Sequence, residues 1–394
     1  MININKKIII SNGTIITPFE FLENKVVLIE KGKIIAVENR KDITIATKEY
    51  VIDARNKFIV PGFIDIHVHG GGGSDIMDGE YEAVKQVAFT HSRFGTTSFL
   101  PTTMTMSKNK ILKSLKSVKE AFIKGTGFAE ILGVHLEGPY INSIKKGAQK
   151  KKYIKEPSIE EFIEFKKASG NLIRLVTIAP EIPGASDLIC WLHKNGIIAS
   201  VGHSNATYEQ LQEAIKDGLS HVTHIYNAMT GFKHRQPGIV GSALSSSELV
   251  AEIIPDGIHC HPAAIKILVK AKGIEKIVII TDAMRATDKP DGIYSMGGQE
   301  IIVANGKASL EDGTLAGSLL TMDKAIRNMI TKVGVSYTNA IQMATFNPAI
   351  CLGIGNKKGS VEPGKDADIV ILNKKLEVVL TMVKGKIVYT MEGT

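Results

Sequence analysis

Strand-sized apolar segments alternate with helix-sized segments through the middle of this 394-residue chain, between residues 58 and 354. Eight strands are predicted, over Ile59–His69, Thr96–Leu100, Ile131–Glu137, Ile173–Ala179, Ile197–His203, His221–Tyr226, Leu249–Ile254 and Lys276–Asp282. Helices are predicted between most of them, over Glu80–Phe94, Lys108–Lys124, Ile159–Ser169, Ala185–Asn195, Tyr208–Asp217 and Pro262–Lys272. Eight successive strand–helix units are typical of an α/β fold, the closed (β/α)8 or TIM barrel, which we predict for residues 58–354. A doubly wound open sheet is the alternative, although no GxGxxG sequence follows the first strand.

The two ends of the chain have a different pattern. Short β-branched runs broken by turn residues occupy residues 1–57, and similar runs occupy residues 355–394. Neither stretch is long enough to bury a comfortable core by itself. We therefore predict that both ends pair into one small β-sandwich domain beside the barrel.

Residue types that bind metals lie where the predicted barrel strands end, which is where a barrel of this kind builds its active site. On the first strand, His67 and His69 alternate, so both imidazoles face the same side. Taken singly, a strand-end histidine fits a packing role as well, and Asp282 fits a helix N-cap. Together, these nitrogen and oxygen donors form the mixed set that zinc and iron(II) favour. The predicted ligands are His67, His69, Glu137, His203, His224 and Asp282.

Charge and composition narrow the choice of partners and compartment. The chain has 48 Lys and Arg against 40 Asp and Glu, a net charge of +8, with a basic segment from Lys145 to Lys155. No nucleic-acid-binding motif accompanies this charge, so we predict a solvated face or a mild attraction for anionic substrates, and no nucleic-acid partner. No apolar stretch reaches the roughly 20 residues of a membrane span, and no signal-peptide pattern is present. Three widely spaced cysteines fit a reducing compartment, so we predict a cytoplasmic protein without a membrane partner.

Several motifs resemble those of known hydrolases. The run from Pro61 to His69, Pro-Gly-Phe-Ile-Asp-Ile-His-Val-His, resembles the opening signature of the amidohydrolase superfamily, and Ala344-Thr-Phe-Asn-Pro-Ala resembles its closing one. Narrower motifs are similar to those of the N-acetylglucosamine-6-phosphate deacetylase family: Leu136-Glu-Gly-Pro-Tyr, His224-Ile-Tyr-Asn-Ala-Met, His234-Arg-Gln-Pro-Gly, Asp256-Gly-Ile-His and Leu315-Ala-Gly-Ser-Leu. The resemblance covers nearly the whole chain and implies metal-dependent hydrolysis of N-acetylglucosamine 6-phosphate in amino-sugar catabolism.

The resemblance also implies roles for individual residues. Glu137, His203 and His224 would hold one divalent ion. A second ion would lie on His67 and His69, with Glu137 bridging and Asp282 close by. This gives one or two ions per subunit, zinc or iron(II). Asp282 would act as the base and then as the acid that protonates the leaving amine. His259 would bind the substrate's acetyl carbonyl and stabilise its developing negative charge.

Contacts to the sugar and phosphate are implied as well. Arg235 offers the planar guanidinium suited to a phosphate, and in the family this arginine can come from a neighbouring subunit, which implies a homodimer. At position 149 the family often has histidine where this chain has glutamine, and both side chains can hydrogen-bond a sugar hydroxyl. The predicted substrate-binding residues are Gln149, Asn227, Ala228, Arg235, His259, Ala316 and Gly317.

Two other functions compete with this interpretation. One is another amidohydrolase activity, on a cyclic amide, an N-acyl amino acid or an aminopurine. Many such relatives use a carboxylated lysine at the end of the fourth strand, where this chain has Thr177-Ile-Ala-Pro-Glu. The other is a non-catalytic barrel, which is disfavoured because the predicted ligands and base are all present.

Overall fold

A closed barrel of parallel strands forms the centre of the molecule. The computed structural model describes residues 7–44 and 49–391. Within them, eight parallel strands follow one another around the barrel, over Phe63–Val68, Thr96–Pro101, Val134–Glu137, Ile173–Ile178, Ile198–Val201, His221–Val222, Val250–Ile253 and Ile277–Ile279. A bridge between Thr102 and His135 joins the second strand to the third, and a bridge between Val68 and Ala283 closes the ring. The predicted α/β barrel is confirmed.

Helices surround the barrel and bury one face each. They span Tyr81–Ser92, Lys108–Lys124, Ile159–Ala168, Ala185–Lys194, Tyr208–Lys216, Gly238–Ser245, Pro262–Lys272, Met322–Asn328, Tyr337–Ala344 and Phe346–Cys351. The second of these shows the reason: Ile111, Leu115 and Val118 recur at helical spacing and are fully buried, whereas its lysines point outward. Among the described residues, none of the helices combines the length and the apolar character that crossing a bilayer requires.

Both ends of the chain contribute strands to one module. A four-stranded sheet contains Lys33–Asn39, Lys25–Glu30, Ile8–Ser11 and Tyr50–Asp53. A six-stranded sheet contains Lys386–Thr390, Val378–Val383, Ile369–Leu372, Phe58–Pro61, Thr14–Ile16 and Phe21–Leu22. Their inward residues share one apolar cluster, in which Ile10 and Ile29 of the first sheet lie with Ile59 and Ile371 of the second. Residues 1–6, 45–48 and 392–394 of the predicted module lie outside the described residues.

The strand predicted over Ile59–His69 is two strands. Phe58–Pro61 pairs antiparallel with Ile369–Leu372 in the six-stranded sheet, and the barrel strand begins only at Phe63. Gly62 separates the two strands. A side chain would not fit at this position, because its Cβ would lie 2.2 Å from the Thr97 hydroxyl oxygen. The observed pairing therefore extends the end-formed module past the predicted boundary at residue 57, and the change of sheet falls at Gly62.

Two more differences lie at the rim of the barrel. The strand predicted over His221–Tyr226 ends at Val222, because His224 and Tyr226 adopt positive φ angles of 32° and 80°. After the eighth strand, an antiparallel three-stranded sheet was not predicted; it spans Gly292–Met296, Gln299–Ala304 and Lys307–Ser309. Gln299 Nε2 donates to the Ala148 carbonyl at 2.5 Å, so this sheet is fastened to the loop after the third strand.

Candidate active site

The carboxyl ends of the barrel strands bring the six predicted ligands together. His67 and Glu137 lie on their strands, and the other four lie one to three residues beyond a strand end. His203, His224 and Asp282 have positive φ angles of 48°, 32° and 50°, a conformation that residues other than glycine seldom adopt. Such strained backbone is common at functional sites.

His67, His69 and Asp282 form the first donor group. The two Nε2 atoms lie 3.2 Å apart. Asp282 Oδ1 lies 3.5 Å from His67 Nε2 and 3.3 Å from His69 Nε2. One donor atom from each of the three residues therefore falls within 4.8 Å of the others, which is compatible with coordination of one ion.

Glu137, His203 and His224 form the second donor group. Glu137 Oε1 is 3.2 Å from the Nε2 atom of each of these histidines, and the two Nε2 atoms are 3.2 Å from each other. The same carboxylate also faces the first group, because Oε1 is 3.5 Å from His67 Nε2 and Oε2 is 3.4 Å from His69 Nε2. Glu137 thus lies between the two groups, as a bridging ligand must.

The protonation pattern of the histidines fits a cation. A neutral imidazole has one N–H and one lone pair, so two Nε2 atoms at 3.2 Å share at most one proton. His203 Nδ1 lies 3.0 Å from the Lys145 carbonyl, which can only accept, so Nδ1 donates to it, and in the neutral ring Nε2 would present its lone pair to a bound ion. This arrangement, with the second ring nitrogen fixed by an acceptor, is usual for metal-bound histidine. The residues present therefore fit one or two divalent ions.

Opposite charges dominate the electrostatics of the cluster. Burial alone raises the pKa of Glu137, but the neighbouring imidazoles, His203 foremost, outweigh it and hold that pKa well below its ordinary value. Burial lowers the pKa of His69, but Asp282 and Glu137 outweigh it and raise the pKa to about 10. The cluster therefore pairs ionised carboxylates with protonated imidazole, and a metal would bind by displacing those protons.

His259 lies at the edge of the same cavity and has a carboxylate partner. Its Nδ1 lies 2.6 Å from Asp256 Oδ2, and both side chains are largely buried. Burial lowers the pKa of His259, but the hydrogen bond and charge of Asp256 outweigh it and raise the pKa. Asp256 itself is held by a local turn, since its Oδ1 accepts from the backbone N–H groups of Ile258 and His259 at 2.8 Å each. The Nε2 edge of the ring is left for a ligand.

A cavity of about 330 Å³ opens above the donor groups, a size suited to a small molecule. Of the predicted substrate-binding residues, it is lined by Gln149, Asn227, Ala228, His259 and Gly317. Ala316 does not line it, and its N–H donates to the Ala308 carbonyl at 3.1 Å, so the predicted Ala316 donor is not free for a ligand. Arg235 is exposed and lines a neighbouring cavity of about 530 Å³, which shares Lys145 with the first. Within one chain, the structure therefore does not bring Arg235 to the predicted site.

Gln149 contacts the carboxylate between the donor groups. Its Nε2 donates to Glu137 Oε2 at 2.6 Å, and its Oε1 accepts from the Thr105 N–H at 2.9 Å. The side chain is buried, so it orients Glu137 in addition to lining the cavity. Its predicted contact with a sugar hydroxyl stays a prediction, for which the second amide hydrogen is available.

Two features of the site were missed from the sequence. Met296 of the unpredicted sheet and Thr314 of the segment that follows it line the cavity beside Leu315, which begins one of the resembling motifs, and no motif placed the sheet itself. Glu252 lies in the seventh barrel strand, where its Oε2 is 3.1 Å from His67 Nδ1. Its signal was present, since a glutamate inside an otherwise apolar strand is almost never buried without a partner.

Comparison with known proteins agrees with this geometry. Residues 58–388 match the amidohydrolase family. The chain is 41% identical over 390 residues to N-acetylglucosamine-6-phosphate deacetylase from Bacillus subtilis (strain 168), covering 98% of each protein. It is 39% identical over 331 residues to N-acetylgalactosamine-6-phosphate deacetylase from Escherichia coli O157:H7, covering 84% of this chain and 88% of that one.

Solved structures resemble the fold over nearly its whole length. The N-acetylglucosamine-6-phosphate deacetylase from Pasteurella multocida superposes with a TM-score of 0.92 at 31% identity, covering 98% of this chain and 100% of that one. A point mutant of the Mycobacterium smegmatis enzyme, in complex with N-acetyl-D-glucosamine-6-phosphate, gives 0.91 at 30% identity with the same coverage. The chain therefore belongs to the amidohydrolase family and, within it, to the N-acetylglucosamine-6-phosphate deacetylases.

Proposed function

We propose that this protein hydrolyses the acetamide of N-acetylglucosamine 6-phosphate to glucosamine 6-phosphate and acetate, a reaction of amino-sugar catabolism and cell-wall sugar recycling. The observation that carries the proposal is the meeting of two donor groups around Glu137 in one cavity with Asp282 and His259. The relatives of the same name cover nearly all of the chain, and the M. smegmatis structure binds this sugar phosphate.

The metal requirement follows from the donor set. His203, His224 and Glu137 would hold one ion, and His67, His69 and Asp282 a second, with Glu137 shared. A bound divalent ion supplies Lewis acidity, polarising the acetyl carbonyl and bringing the pKa of water to about 7. Zinc or iron(II) is the proposed ion, because both favour mixed imidazole and carboxylate ligands.

Asp282 is the proposed proton carrier. Although burial raises its pKa, the imidazoles of His67 and His69 outweigh this and lower the pKa to about 2, so the carboxylate is ionised at neutral pH. It accepts a proton from the water whose oxygen attacks the acetyl carbon. As the carbon–nitrogen bond breaks, Asp282 returns that proton to the amine nitrogen, and acetate and the free amine leave.

His259 is the proposed partner of the acetyl oxygen. With Nδ1 bound to Asp256, only the protonated ring presents an N–H at Nε2. That N–H faces the negative charge that develops on the carbonyl oxygen during attack, an interaction that is stronger in the transition state than in the ground state. Asp256, which raises the pKa of His259, favours the protonated form.

Phosphate binding is proposed to need two subunits. Arg235 lies at the surface on a loop where Phe232 is 61% exposed, so the loop offers both a cationic and an apolar side chain to a partner. In a homodimer this loop would insert Arg235 towards the partner's cavity, where its guanidinium can bind the phosphate.

A cytoplasmic location is also proposed. The three cysteines, all within the described residues, are free thiols, which agrees with a reducing compartment; they are Cys190, Cys260 and Cys351.

The 4-epimer of the substrate is a second candidate. The E. coli relative at 39% identity is named for N-acetylgalactosamine 6-phosphate, and Gln149 is one of the polar side chains that line the cavity of this chain. The two sugars differ only in the direction of the 4-hydroxyl, so one polar contact decides between them.

The test is release of acetate and free amine by the purified protein, after chelation and after addition of zinc or iron(II). Both epimeric 6-phosphates, unphosphorylated N-acetylglucosamine and N-acetylamino acids are compared. Metal-dependent turnover that is fastest with N-acetylglucosamine 6-phosphate is expected. Faster turnover of the galactose epimer would reassign the sugar, and faster turnover of N-acetylamino acids, or no turnover by metal-loaded protein, would overturn the proposal.

A further inference from the structure

We propose that Glu252 is a positioning residue, which orients the imidazole of His67 and joins the two donor groups of the site. This inference rests on the proposed metal-dependent function. Glu252 lies on the seventh barrel strand, Val250–Ile253, and is fully buried beneath the cavity. A buried carboxylate needs partners that compensate for lost solvation, and the partners of Glu252 all belong to the site.

The first partner is the ring of His67. Its Nδ1 lies 3.1 Å from Glu252 Oε2, and both side chains have no exposed surface. Facing a carboxylate, Nδ1 is the nitrogen that carries the proton, so Nε2 presents its lone pair to His69, Asp282 and Glu137. A carboxylate in this position fixes the tautomer and the angle of the ring, and it makes the imidazole a more basic ligand.

The second partner belongs to the other donor group. The same Oε2 atom accepts the backbone N–H of His224 at 3.3 Å, and the Glu252 carbonyl accepts the N–H of Ile225 at 2.9 Å. These bonds hold the segment in which His224 adopts a φ of 32°. The Glu252 side chain thus supports one residue of each donor group. None of the motifs that resemble those of the family includes Glu252.

A cation site is the competing explanation for Glu252. Donor atoms of His67, His135 and Glu252 lie within 4.8 Å of one another. Among the described residues, His135 Nδ1 and Glu252 Oε1 have no hydrogen-bond partner. An ion there would require His67 to lose its Nδ1 proton and bind two cations through one ring. A hydrogen bond from Nδ1 to Glu252 requires neither, so we favour the positioning role.

The test compares Glu252→Met, which keeps the size but removes the acceptor, with Glu252→Gln, whose carbonyl oxygen can still accept from both partners. Thr177→Val is the matched control, because it removes a buried hydroxyl whose hydrogen-bond partners, His135 and Thr223, are not among the predicted ligands. Zinc stoichiometry and affinity are measured by competitive titration and elemental analysis, with circular dichroism to verify folding. In Glu252→Met, one of two zinc equivalents is expected to weaken about 10- to 100-fold. Glu252→Gln is expected to recover most of this affinity, and Thr177→Val to match the wild type.

Each of the other outcomes would overturn the proposed function, the inference about Glu252, or both. If the wild type binds neither zinc nor iron(II), the proposed function fails together with the inference. If Glu252→Met folds and binds two equivalents with wild-type affinity, the inference alone fails. Three equivalents in the wild type, with one lost in both Glu252 variants, would make Glu252 a cation ligand and overturn its positioning role.

A second measurement is made on the wild-type protein. In zinc-loaded protein with 15N-labelled histidine, long-range 1H–15N spectra distinguish a protonated from an unprotonated ring nitrogen. His67, assigned by comparison with His67→Gln, is expected to carry its proton on Nδ1. An unprotonated Nδ1 in the wild type would overturn the inference.

Discussion

Replacing Asp256 should move the pH dependence of catalysis, because this carboxylate keeps His259 protonated. Asp256→Ser removes the charged partner 2.6 Å from His259 Nδ1. The serine hydroxyl can still accept from the backbone N–H groups of Ile258 and His259, so the local turn is retained. The substitution therefore isolates the interaction with the ring.

The size of the shift follows from the interaction that is lost. A hydrogen bond to a charged group contributes about 1.5–3 kcal/mol, and one pKa unit corresponds to about 1.36 kcal/mol. The protonated form of His259 should therefore lose about 10- to 100-fold relative to the neutral form, and its pKa should fall, because burial, which lowers that pKa, would then act unopposed by Asp256. Bound cations would lower the pKa of His259 in both the wild type and Asp256→Ser, so the difference between the pH profiles of the two proteins is the quantity to compare.

The sign of the effect is fixed by the raised pKa. A histidine with a raised pKa stays protonated below that pKa and loses its proton as the pH rises through it. Because only protonated His259 donates from Nε2, kcat/KM should decline on the alkaline side of the profile. In Asp256→Ser that decline should occur about 1–2 pH units lower.

The assay is kcat/KM for N-acetylglucosamine 6-phosphate across the pH range, at saturating metal. Asp53→Ser is the matched control, since Asp53 caps a similar turn, at Arg55, in the end-formed module. An alkaline limb that stays at the wild-type position in Asp256→Ser, with metal content and folding unchanged, would refute the role of the Asp256–His259 pair.

Three other substitutions test separate parts of the molecule. Asp282→Asn should lower turnover by about 10²–10⁴-fold while substrate still binds and the ion of Glu137, His203 and His224 is retained; turnover at the wild-type rate would remove Asp282 as the proton carrier. Arg235→Ala should raise KM for the phosphorylated sugar by about 10- to 100-fold, because a charged hydrogen bond is lost, and should leave KM for the unphosphorylated sugar unchanged. An equal rise in both KM values would remove Arg235 from phosphate binding. Lys358→Met should lower the free energy of unfolding by about 3–5 kcal/mol, because the buried ammonium group bridges Glu130 at 2.8 Å and Asp366 at 3.1 Å. Unfolding in denaturant at the same midpoint as the wild type would contradict this.

The barrel and the ligands were predictable because their signals are local. Parallel strands buried on both faces give continuous apolar runs, and the residue that ends each run lies at the same rim of the barrel. His67, Glu137 and His203 could therefore be placed together without knowing a distance between them. The strand boundary at Gly62 was not predicted, because the apolar run passes from one sheet to another there and has a similar composition on both sides of the change.

Features that depend on pairs of distant residues were not predictable. Nothing in the sequence links Glu252 to His67, which lies 185 positions away. Gln149 was assigned to the sugar from a motif, but its direction towards Glu137 depends on how the loop after the third strand folds back over the site. Arg235 shows the limit of a motif, because the motif names the residue but does not place it, and within one chain Arg235 lines a neighbouring cavity.

Strained backbone directs the predicted ligands at the strand ends into the cavity. After Val201, Val222 and Ile279 the chain must leave the barrel towards a helix, yet His203, His224 and Asp282 still direct their side chains into the cavity. Regular strand alternation does not extend through residues with positive φ, so the side-chain directions at these positions were not fixed by the sequence pattern. Each such residue costs about 1–2 kcal/mol relative to ordinary backbone. The cost is offset by surrounding contacts, such as the bond from the His224 N–H to Glu252, which makes the polar residues beneath the site part of what holds its ligands in place.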